Sequence, residues 1–107
     1  MSETEPIIQK IRETIERLAK EPVSMGEFAR MFKEETGWEY TFDYYPKVLE
    51  MKEKGEWLYE TVKCTDTVDI DDETYAVVRA VEEWAINFEA QEWIVARIQI
   101  EEIKKNR

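Results

Sequence analysis

PVSMGEFARMFKEETGWEYTFDYYPKVLEMKEKGEWLYETV, residues 22–62, is the stretch around which the rest of the chain is organised. Ser24 is placed to cap a helix, and Glu27, three residues on, completes a capping box. Phe28, Ala29, Met31 and Phe32 supply the inward face of that helix, and Gly37 stops it. Residues 38–42, WEYTF, alternate and are β-prone, which suits a short strand or an extended turn. Asp43 can cap a further helix through Lys54, with Pro46 in its first turn, Val48, Leu49 and Met51 as apolar contacts, and Gly55 as its C-cap. Residues 57–64 then alternate as a strand that should bury Trp57 or Leu58 against the helices. Two helices about a Gly-containing turn, running into a strand, give the order of a helix-turn-helix unit.

Upstream, Ile7, Ile8, Ile11, Ile15 and Leu18 recur at three- and four-residue spacing, so residues 6–20 form an amphipathic helix. Pro6 suits its first turn, Thr4 or Glu5 can cap it, and Pro22 ends it. Downstream, DTVDIDD reads as a polar turn, and residues 74–81 can return as a partner strand. The next segment satisfies two periods at once. Val77, Val81, Trp84, Ala85 and Phe88 share a helical face, while Ala76, Val78, Ala80, Trp84, Ile86 and Phe88 share a strand face. Four alanines in 76–90 favour a helix somewhere in 80–90. Residues 92–103 alternate as a strand. The expected fold is therefore α+β: an N-terminal three-helix, helix-turn-helix-like unit followed by a small antiparallel sheet, in one domain spanning 1–107.

A chain of 107 residues with 43% hydrophobic and 12% aromatic content can bury one core. No apolar run reaches the length of a membrane span, and MSETEP lacks a basic-then-apolar signal. With Cys64 as the single cysteine there is no internal disulfide, so the expectation is a cytoplasmic protein without membrane association. The net charge of -10 is uneven: residues 1–54 carry 12 acidic and 9 basic side chains, residues 55–103 carry 13 and 3. Such a second half repels nucleic-acid backbones and favours basic partners; the plainer reading is that it keeps the protein in solution.

The absence of histidine excludes Ser-His-Asp and Cys-His nucleophile systems and zinc sites of mixed Cys/His type. No phosphate-cradling glycine loop is present. No catalytic residue, cofactor or metal site is expected. The densest acid group is Asp66, Asp69, Asp71, Asp72 and Glu73. Counted from Asp69 as a calcium loop, its sixth and twelfth positions are Thr74 and Ala80 instead of Gly and Glu, so that pattern fails. A loose divalent site is the lesser reading there; a solvated turn, or a contact for basic residues on a partner, is the main one. Lys63 falls on the strand face opposite Cys64, which makes the thiol a half-buried strand residue. Arg30, Lys33, Tyr44, Tyr45, Lys47, Lys52 and Lys54 are the candidate nucleic-acid or partner contacts, with Trp38 and Tyr40 nearby, although aromatics in this stretch also serve to close a core. Adjacent carboxylates such as Glu34–Glu35 and Glu82–Glu83 diverge and give no support to acid–base chemistry.

From Ile7 to about Val81 the order is similar to that of a winged helix, in particular the LOTUS (OST-HTH) type. The similarity lies in the "VS-x-x-EF" entry (Val23, Ser24, Glu27, Phe28), the Phe-Lys-Glu-Glu-Thr-Gly exit from Phe32 to Gly37, and a third helix before a strand pair. The resemblance implies binding of RNA, DNA or proteins such as helicases. Three readings follow. The first is a non-enzymatic winged-helix-like regulator or adaptor binding nucleic acid or a protein, with a homodimer possible. The second is an acidic inhibitor, immunity-type or nucleic-acid-mimic protein that binds a basic partner. The third is a small cone of the nuclear-transport-factor-2-like type with a ligand pocket, which requires 74–90 to be a long strand and the aromatics to line a cavity.

Overall fold

Residues 5–43, 57–87 and 89–106 are described by a computed structural model of the chain. Helix α1 (Pro6–Leu18), strand β1 (Val23–Ser24), helix α2 (Met25–Thr36) and strand β2 (Glu39–Thr41) precede three long strands: β3 (Leu58–Asp69), β4 (Tyr75–Asn87) and β5 (Glu92–Asn106). All five strands form one antiparallel sheet in the order β1-β5-β4-β3-β2. The described residues thus hold two helices and a curled sheet, which overturns the three-helix winged-helix architecture and the LOTUS resemblance. The helix expected from Asp43 through Lys54 lies, from residue 44 on, outside the described residues. No helix among the described residues is long and apolar enough to cross a membrane.

The helices are those the caps announce. Ser24 Oγ accepts the Glu27 N–H at 3.1 Å, so one orphan donor of α2 is satisfied. Gly37 takes φ 81°, and its N–H closes the helix on the Lys33 carbonyl at 2.8 Å. Helix α1 has Pro6 in its first turn, while Glu5 makes no side-chain cap bond. Ser24 serves two elements, because the two-residue β1 also pairs with β5 through Val23↔Val95 and Ser24↔Ile94.

Residues 75–87 are a strand, and no helix forms there. β4 pairs along its whole length with β3 on one side and β5 on the other, so tertiary hydrogen bonding overrides alanine's helix propensity. The DTVDIDD run divides as well: residues up to Asp69 extend β3, and only the remainder turns. Along β5, Arg79↔Glu102 is followed by Ala80↔Ile100, and Glu83↔Arg97 by Trp84↔Val95, which leaves Glu101 and Ala96 as extra residues. Two such bulges bend β5 and add to the curl of the sheet.

The core sits between the helices and the concave face. Ile8, Ile11 and Ile15 of α1 and Met25, Phe28 and Phe32 of α2 meet Val62, Cys64 and Val68 of β3, Ala76, Val78, Ala80, Trp84 and Ile86 of β4, and Val95 and Ile103 of β5. The small Ala76 and Ala80 are buried within this core. The first long strand was expected to bury Trp57 or Leu58 against the helices. Leu58 is only half-buried and Trp57 is 38% exposed, so the buried part of β3 begins at Val62.

Candidate functional site

Strand alternation carries two acids into the interior. On β3 the inward row is Val62, Cys64, Asp66 and Val68; on β4 it is Val78, Ala80, Glu82 and Trp84. Val62 faces Glu82 and Cys64 faces Ala80 across the ladder, so Glu82 lies diagonal to Cys64 with Asp66 beyond it. Asp66 and Glu82 are both 0% exposed. One oxygen of each carboxyl and the Cys64 sulfur lie within 4.8 Å of one another.

The two acids are held differently. Asp66 Oδ2 accepts the Tyr40 hydroxyl at 2.6 Å, and Oδ1 accepts the Asp43 backbone N–H at 2.9 Å. Glu82 Oε1 accepts the indole N–H of Trp84 at 2.7 Å, while Oε2, also buried, receives no hydrogen bond. Burial, and then the neighbouring Asp66, pushes the Glu82 carboxyl up to about 10. Burial also raises Asp66, but hydrogen bonds from Glu82, Tyr40 and the Asp43 backbone act against the rise. The pair therefore shares one proton, carried by Glu82, and the charge rests on Asp66, which has the Tyr40 hydroxyl and the Asp43 N–H as donors. Burial raises the Tyr40 phenol and the Cys64 thiol as well, so both keep their protons. The thiol is buried, not half-buried as expected.

Aromatic rings fill the space around this group. Tyr40 lies 5.0 Å from Phe28, 5.2 Å from Phe32 and 4.9 Å from Phe42 between ring centroids, and Trp84 meets Trp93 edge-on at 6.2 Å. The long strand that the cone reading requires is present over Tyr75–Asn87, and the rings of Phe28, Tyr40 and Phe42 pack on one another in the core. A cleft of about 440 Å³ follows α1 past Lys10, Glu13 and Arg17 to Glu35. Another of about 350 Å³ separates the start of α2 from Trp93 and Ile94. Neither borders the buried acids.

The residues singled out from sequence scatter. Asp66 leaves the acidic surface group altogether, because it is sealed inside. Asp69, Asp71, Asp72 and Glu73 stay exposed at the turn between β3 and β4. Asp71 Oδ1 accepts the N–H groups of Glu73 and Thr74, both at 2.8 Å, which fixes the turn and lowers its carboxyl below the usual range. Arg30 is forked onto Glu27 and Glu34, and Lys33 pairs with Glu39, so two of the expected nucleic-acid contacts are balanced by acids. Tyr44, Tyr45, Lys47, Lys52 and Lys54 lie outside the described residues. Glu82 is the residue that sequence reasoning missed. Its signal was its place in the apolar alternation Val78, Ala80, Glu82, Trp84, not its neighbour Glu83.

Comparison with protein-family models, curated proteins and solved structures finds no match for this chain. Its function must be read from its own residues.

Proposed function

We propose that this chain is a non-enzymatic protein-binding module that docks on a basic surface through the acidic turn joining β3 and β4. The observation that carries the reading is the state of that turn. Four exposed carboxylates, Asp69, Asp71, Asp72 and Glu73, stand together, and no ion pair ties any of them to a cation among the described residues. Two of the longest strands hold the turn in place, and Asp71 locks its backbone, so these charges are presented on a fixed support. Tyr75, 40% exposed at the root of the turn, adds an amphipathic ring of the kind enriched at protein interfaces. A nucleic-acid reading is weaker, because Arg30 and Lys33 are already paired with acids.

The test leaves Asp71 in place, since it builds the turn, and changes Asp69→Asn, Asp72→Asn and Glu73→Gln together. Partners captured from the native host are identified, and association kinetics with the recovered protein are measured at low and high salt. A basic partner whose on-rate falls about tenfold in the triple variant at low salt, with little change in off-rate, supports docking through this turn. Equal on-rates for wild type and variant at low salt refute it.

A further inference from the structure

The buried acids pose a problem of charge that a second kind of ligand can solve. Cys64, Asp66 and Glu82 converge inside the sheet, the chain has no histidine, and no ion pair among the described residues reaches either carboxyl. Glu82 Oε2 is sealed from solvent and receives no hydrogen bond, although it belongs to this group. In the metal-free protein only the proton shared with Asp66 serves that buried carboxyl oxygen, and an ion held by all three groups can take the place of that proton.

We propose that Cys64, Asp66 and Glu82 bind one divalent transition-metal ion of borderline softness, zinc foremost, through the sulfur and one oxygen of each carboxyl. The donor set suits such an ion: a thiolate with two carboxylates is too soft for magnesium or calcium and is found among zinc ligands. The spacing suits it too. With metal–sulfur and metal–oxygen bonds of about 2.3 and 2.1 Å, tetrahedral ligand atoms stand about 3.4–3.6 Å apart. The three donors lie within 4.8 Å of one another, a gap that small side-chain rotations close. They sit on two directly paired strands, Cys64 and Asp66 two residues apart on β3 and Glu82 on β4, so the backbone holds them in place. Outer partners are also present. Trp84 orients Glu82, while Tyr40 and the Asp43 backbone orient Asp66, as hydrogen-bonded neighbours orient ligands in metal sites. Three protein donors leave one coordination position open. Binding releases the protons that Glu82 and Cys64 carry in the metal-free protein, so affinity rises with pH.

Cobalt(II) is the probe. The full chain is refolded from denaturant at about pH 8 with Co²⁺ present, which removes any need for an entry path into the folded protein, and is then freed of unbound metal. Cys64 is the single cysteine, so a near-ultraviolet thiolate-to-cobalt band can come from this site alone. The expected result is one equivalent of Co²⁺ with that band and the strong visible absorption of tetrahedral cobalt, both discharged by Zn²⁺. Cys64→Ser should abolish the band, and Glu82→Gln should weaken uptake by on the order of a hundredfold. The wild-type spectrum decides the matter even if a variant fails to fold. Refolded wild type that retains no cobalt, or retains it without the thiolate band, overturns the proposal.

Discussion

Replacing Glu82 by Gln in metal-free protein should stabilise it, and by more as the pH rises. Glu82 titrates near its ordinary 4.5 in the unfolded chain and at about 10 in the folded one. Between those values the native state holds a proton that the unfolded state has released. Stability is therefore full below pH 4.5 and falls through the window up to 10, by about 1.4 kcal/mol per pH unit. Gln does not titrate, yet its amide can donate to Asp66 while its oxygen accepts from Trp84, the arrangement the protonated acid makes. Urea unfolding of wild type and Glu82→Gln in EDTA, from pH 6 to 9, should give two curves that diverge by about 4 kcal/mol across the range, with Gln the more stable at the alkaline end. Titrations common to both proteins cancel in the difference. Parallel curves would show that Glu82 is not held protonated, and a Gln variant less stable throughout would show that the ionised carboxylate is the stabilising form.

Two further outcomes follow from the same packing. Tyr40→Phe removes the hydroxyl that Asp66 Oδ2 accepts while keeping the ring among Phe28, Phe32 and Phe42, so it should lower unfolding free energy by about 1.5–3 kcal/mol; a neutral result would mean that Asp66 carries no charge. Gly37→Ala places a Cβ where nothing lies within 4 Å, so only the backbone conformation at φ 81° should register, as a loss of about 1 kcal/mol in chemical denaturation. An unchanged midpoint would contradict the left-handed cap.

Local chemistry was legible and long-range pairing was not. Ser24, Gly37 and the isoleucine spacing of residues 7–15 specify both helices without reference to anything distant. Residues 92–103 were also plain, because strict alternation over that length fits no helix face. The winged-helix expectation rested on cap residues that any short helix of this kind carries. It failed at residues 75–87, where both periods were present and only the flanking strands decide between them. Asp66 was obscured by company. Four surface acids follow it within seven residues, whereas its parity sets it with Val62, Cys64 and Val68. Glu82 was read beside Glu83, its neighbour in sequence, though its neighbours in space are one strand away.

The pairing of Val23 with Val95 ties the second element of the chain to its last, and this has a consequence for biosynthesis. Helices α1 and α2 emerge from the ribosome well before the surface that covers Ile8, Ile11, Phe28 and Phe32 exists. The β3–β4 hairpin can form as soon as it is made, but its concave face stays open until β5 is complete and the helices close over it. Folding of this kind is dominated by contacts distant in sequence, hence slow, and it leaves an apolar sheet face exposed in the interval. A nascent chain halted before β5 should therefore be bound by holding chaperones and digested by proteases, and should acquire resistance in a single step once residues 92–106 are free of the exit tunnel.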